Sequence, residues 1–138
     1  MPNTELLNQT ITEFYDKMSS WEQSVVKETG YSLAQTHTIE VLGNFGALRM
    51  NALAQKLGIT TGTLTVQVDK LVKLGLMVRC ADPKDGRATL LNLTEEGLAI
   101  HRQHHQLHVE LMQDLTLEMS PSEAETLISA MQKMNKLF

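Results

Sequence analysis

The chain has 138 residues, of which 42% are hydrophobic, with one cysteine and a formal net charge of −4. That length supports one ordinary domain with its own core, and a single cysteine excludes an internal disulfide framework, as in a reducing cytoplasm. No apolar run nears the ~20 residues of a membrane span and no secretory leader opens the sequence, so a cytoplasmic protein with no membrane partner is the expectation.

Residues ~5–28 place Leu6, Ile11, Phe14, Met18, Trp21 and Val25 on one broad helical face, and Gly30 ends the pattern. Ser32 and Gln35 form a capping box for a second helix running to about Leu42, before "GNFG". Residues ~50–57 predict a short helix stopped at Gly58. Thr60 caps the next helix, which runs to Leu74 with Leu64, Val68 and Leu71 inward and Gly75 behind it. The period then changes. "LMVRC" and "ATLLNL" are short extended runs joined by "ADPKDG", which predicts a hairpin. Thr94 caps a long helix over ~95–117. Ser120, Pro121 and Glu123 open a last one that ends near Lys136.

A short helix, a glycine turn, a second helix and a hairpin make a winged helix-turn-helix. The fold class is therefore mainly α with a small β-hairpin wing. One domain spans 1–138, with the winged lobe at about 32–94. Helices at about 5–28 and 95–136 form a dimerisation scaffold from both termini, since their apolar faces need a second copy. Charge follows the same division. Arg49 to Arg87 holds seven basic against three acidic residues, while the flanks hold five against thirteen. A basic centre between acidic ends suits a DNA-binding lobe on an acidic scaffold.

The stretch "LAQKLGITTGTLTVQVDKLVKLGLMVR", followed by "DPKDGRATLLNLTEEG", resembles the helix-turn-helix and wing of the MarR family of transcriptional regulators. The resemblance covers essentially the whole chain. It implies a homodimeric DNA-binding regulator, with repression the expected sense. Val66 departs from the pattern, because the family often places a basic or polar residue there. Within the family, "HTIEVLG", "GTLT" and "IHRQHHQLH" are similar to the branch that represses fatty-acid synthesis. That similarity implies a long-chain acyl group on acyl carrier protein, or another small apolar effector, as the signal. The zinc-responsive branch is the rival, and its ligands would fall at His37, His104 and His108. Its acidic residue before the second of these is replaced here by Gln103.

The front of a recognition helix faces base edges in the major groove. Here it offers Thr60, Thr61, Gly62 and Thr63, then Thr65 and Val66. Hydroxyls and methyls without Arg or Asn favour an A·T-leaning palindrome read partly through DNA shape. Lys70, Lys73 and the wing-tip Lys84 suit phosphates. Arg87 suits a narrow minor groove, with Asp85 orienting it.

Four of the five histidines fall between Ile100 and Glu110. On a helical wheel His104 lies inside the stripe of Ile100, Leu107 and Leu111, with His108 at its edge. His101 and His105 stand further round. Three readings stay open. The pair can be interior or interface histidines, polar groups in an acyl pocket, or zinc ligands completed by His37 and by Glu22 or Glu40. Catalysis would need an inward carboxylate beside them, and Glu110 takes the opposite face, so no enzyme activity is expected. Cys80 reads as a buried small hydrophobe.

Overall fold

A computed structural model describes residues 3–138. In chain order they form α1 (Thr4–Lys27), α2 (Leu33–Phe45), β1 (Leu48–Arg49), α3 (Met50–Leu57), α4 (Thr61–Lys73), β2 (Met77–Ala81), β3 (Thr89–Leu93), α5 (Glu95–Leu115) and α6 (Pro121–Asn135). Contacts divide the chain into two compact units, residues 1–101 and 102–138.

The first unit holds the buried core. Ile39 and Leu42 of α2, Leu53 of α3, Leu64, Val68 and Leu71 of α4, Met77 of β2 and Leu91 of β3 are all nearly inaccessible to water. Full burial of each such side chain contributes roughly 1.5–3 kcal/mol. Local signals frame these helices. The Ser32 hydroxyl accepts from the Gln35 backbone N–H while the Gln35 side chain accepts from Ser32 N–H. Gly58 and Gly75 stop α3 and α4 with φ of 68° and 76°, a left-handed conformation that a side chain would resist.

The sheet has the order β1-β3-β2 and is antiparallel throughout. Met77 pairs with Leu93, Arg79 with Leu91 and Ala81 with Thr89, while Leu48 pairs with Leu91. The hairpin is as the sequence predicts, but β1 is not anticipated: two residues carry no readable period. Thr94 closes the unit by accepting from Gly97 N–H and donating to the Gly75 carbonyl. Gly97 is required there, since a Cβ would collide with the Leu76 carbonyl. One expectation fails. Cys80 is exposed, because only Met77 of β2 faces the core before the strand runs off the lobe.

The second unit is the rest of α5 followed by α6. Ser120 and Glu123 form the expected capping box, with Pro121 at the first helical position. None of its described hydrophobic residues is buried, and Leu127, Ile128, Met131 and Met134 are open on α6. In the first unit α1 likewise exposes Leu6, Leu7, Ile11, Phe14 and Tyr15, burying only Val26.

Candidate nucleic-acid interface

Helix α4 splits cleanly into a buried and an open side. Leu64, Val68 and Leu71 seat it in the core, and the spacing of these three leaves Thr61, Gly62, Thr63, Thr65 and Val66 exposed at its front. Thr60 is the N-cap. Its hydroxyl accepts from Thr63 N–H at 3.2 Å and lies 3.0 Å from the Thr63 hydroxyl. The Thr65 hydroxyl donates to the Thr61 carbonyl at 2.8 Å. These local bonds fix the hydroxyl orientations before any ligand arrives, and the methyls and Val66 stay outward. Lys70 and Lys73 are exposed in the last turn, where they also complement the helix dipole.

Beside α4 stands the wing. Asp82 and Asp85 shape its tip by accepting backbone N–H groups two residues on. Lys84 donates to Asp82 at 2.8 Å and Arg87 donates to Asp85 at 3.1 Å. The Arg87 guanidinium keeps a 3.4 Å contact with Asp85 yet is 95% exposed. It is a charge presented to solvent and steadied at its base, and the pair itself contributes little stability.

Two ion pairs in this region escape sequence reasoning. Arg79 of β2 pairs with Asp69, tying the wing strand to α4. Arg49 reaches Asp82 with two nitrogens, at 2.8 and 3.1 Å. The Lys84 N–H and the Arg49 guanidinium hold the Asp82 carboxyl below its ordinary value. Both pairs join residues ten or more apart, so no local pattern announces them. Lys56 of α3 also lies over the Phe45 ring, 3.9 Å from its centre.

The histidines occupy other ground. His37 is exposed on α2. His104 is buried and His108 half-buried on α5, with their Nε2 atoms 3.1 Å apart. At that separation one ring presents N–H and the other a lone pair, and the rings meet edge to face. The wheel set His101 outside the apolar stripe, but its side chain is mostly buried. His101 Nδ1 lies 3.3 Å from a Glu40 carboxylate oxygen, and its ring stands against Gly43. The "HTIEVLG" and "IHRQHHQLH" segments thus touch through Glu40, Gly43 and His101.

Comparison with known proteins finds the same fold. Residues 29–88 match the model of the MarR family. An uncharacterized HTH-type transcriptional regulator of Bacillus subtilis, YxaD, is 28% identical over 134 residues, covering 97% of this chain and 94% of the relative. The multiple antibiotic resistance protein MarR of Escherichia coli is 37% identical over 83 residues, covering 59% and 58%. The crystal structure of Streptococcus pneumoniae FabT in complex with DNA superposes with a TM-score of 0.86 at 22% identity, covering 98% of this chain and 96% of that one.

Proposed function

We propose, from the match of residues 29–88 to the MarR family model and the likeness to the Escherichia coli MarR protein, that the chain is a winged-helix transcriptional regulator of that family rather than an enzyme, and that it is a homodimeric repressor of an A·T-leaning palindrome. The observation that carries this reading is the pairing of an open threonine face on α4 with a braced, solvent-facing Arg87 on the wing. The front of α4 would enter the major groove, with Thr61, Thr63, Thr65 and Val66 against base edges and thymine methyls. Lys70, Lys73 and Lys84 would meet phosphates, and Arg87 the adjacent minor groove, with Asp85 steadying it. Two copies related by a two-fold axis would reach half-sites about one turn, ~10 bp, apart.

Exposed apolar faces on α1 and α6 support the dimer. The similarity of "HTIEVLG" and "IHRQHHQLH" to the fatty-acid branch supports an acyl group on its carrier protein as effector. A second reading rests on the paired nitrogens of His104 and His108: an i,i+4 pair suits zinc, which needs three or four ligands. The direct test is fluorescence anisotropy with an A·T-rich palindrome and a G·C-rich control across a salt series. Preferential, salt-sensitive binding of the first duplex is expected, and equal or absent binding overturns the reading.

A further inference from the structure

Arg49 stands at the N-cap of α3 and makes no side-chain capping bond there. Ser, Thr, Asp or Asn normally satisfies the first free N–H groups of a helix, and Arg has no acceptor with which to do so. Its guanidinium turns instead to the wing, where Nε and Nη2 both donate to Asp82 Oδ2 at 3.1 and 2.8 Å. The other Asp82 oxygen accepts from Lys84 N–H at 2.8 Å, and Asp82 N–H donates to the Ala88 carbonyl at 3.0 Å. One side chain therefore gathers three attachments at the point where the two arms of the wing separate. The Asp82 side chain is 11% exposed, whereas Arg87 at the tip is almost fully so. The backbone of Arg49 is itself fixed by pairing with Leu90 in the sheet.

We propose that Arg49 is a positioning residue for DNA binding: by clamping Asp82 it sets the angle at which the wing presents Lys84 and Arg87. The proposal rests on the reading of α4 and the wing as the DNA-binding surface. It differs from the simpler view that Arg49, half-exposed and basic, touches a phosphate itself. A planar fork on a nearly buried carboxylate is a fixed joint, and a lysine could supply the charge without the fork.

The two views diverge experimentally. Operator affinity would be measured by anisotropy for Arg49→Gln, Arg49→Lys, Asp82→Asn and Arg87→Ala, and for each of the first three combined with Arg87→Ala. Backbone amide exchange at residues 83–88 would be followed in the free proteins. The clamp predicts that Arg49→Gln and Asp82→Asn each weaken binding by on the order of tenfold, and that Arg49→Lys does not restore it. Adding Arg87→Ala should then cost little more, because a mispositioned wing has already lost that contact. Exchange at the wing should rise in all three variants. Direct phosphate contact predicts full rescue by Lys, unchanged or tighter binding in Asp82→Asn, and losses that multiply with Arg87→Ala; any of these overturns the clamp. Unchanged wing exchange in Arg49→Gln also overturns it, without reference to DNA. A wild-type protein that binds no duplex overturns the DNA reading itself, a failure distinct from either result.

Discussion

The ring of His101 rests on Gly43, and a methyl group added at Gly43 would overlap it. The same imidazole lies 3.3 Å from Glu40 one turn earlier on α2. A helix surface without a side chain at 43 is therefore what lets α5 bring a polar ring onto α2. Gly43→Ala forces the ring away from the carboxylate it meets, and overpacking of this kind costs about 1–3 kcal/mol. Chemical denaturation should register that loss. The double variant Gly43→Ala with His101→Ala should lose less than the two single losses added together, since the overlap is gone. Strict additivity would mean that the ring and Gly43 are not in contact.

Arg87 offers a prediction tied to groove shape. Its side chain leaves the wing almost wholly exposed, so Arg87→Ala should leave stability within ~0.5 kcal/mol. Operator affinity should nevertheless fall by roughly tenfold or more, and further for A·T-rich flanks than for G·C-rich ones, because a narrow A·T minor groove attracts the guanidinium. Equal loss on both flanks would make Arg87 a plain phosphate contact, and unchanged affinity would remove the wing from the interface.

What the sequence displayed was everything decided within a few residues. Ser32 with Gln35, Thr60, and Ser120 with Glu123 announce helix starts because a cap is a local hydrogen bond, and all three caps form. Leu64, Val68 and Leu71 announced the inner face of α4, which also fixed the outer face that carries the threonines. What stayed hidden depends on distant pairing. β1 is two residues long, and Arg49 looked like one more basic residue until Asp82 lay against it. Cys80 followed the apolar pattern of its strand, yet β2 has already left the core there. His101 was misjudged because a wheel assumes one buried arc along a helix, whereas α5 turns His101 toward Glu40 at its upper end.

Acid should loosen the wing before it unfolds the core. The Lys84 N–H, followed by the Arg49 guanidinium, holds the Asp82 carboxyl below its ordinary value, and desolvation opposes them only in part. A carboxyl whose pKa is lowered by folding contributes stability above its unfolded value, about 3.9, and loses that contribution as pH falls through the lower folded value. Thermal midpoints of wild type and Asp82→Asn should therefore differ above about pH 4 and converge below it. A gap that persists unchanged to the acid limit would assign the effect of the substitution to something other than the lost charge.

Assembly follows from what the helices leave open. Leu6, Leu7, Ile11 and Phe14 on α1 and Leu127, Ile128 and Met131 on α6 are exposed, too many large side chains for a surface meant to stay wet. A two-fold dimer burying more than ~2,000 Å² is expected, as in obligate pairs. Sedimentation should give a dimer at micromolar concentration, and Ile128→Glu should shift it toward monomer with helical content retained. A wild-type monomer at that concentration would refute the assembly.

The histidine pair sets the last prediction. His104 and His108 bring two nitrogens within 3.1 Å on one face of α5. If they line an acyl site, operator affinity should rise with long-chain acylated carrier protein and ignore a chelator. His104→Ala should blunt that rise without altering binding by the protein alone. If they hold zinc, added zinc should change affinity, chelation should reverse it, and His104→Ala should abolish both effects, since loss of one imidazole from a three- or four-ligand site removes most of its affinity. Unacylated carrier protein is the control that separates an effect of the chain from one of the carrier. A wild-type protein that binds its operator equally under all these conditions would leave the pair as interior histidines and remove both sensing readings at once.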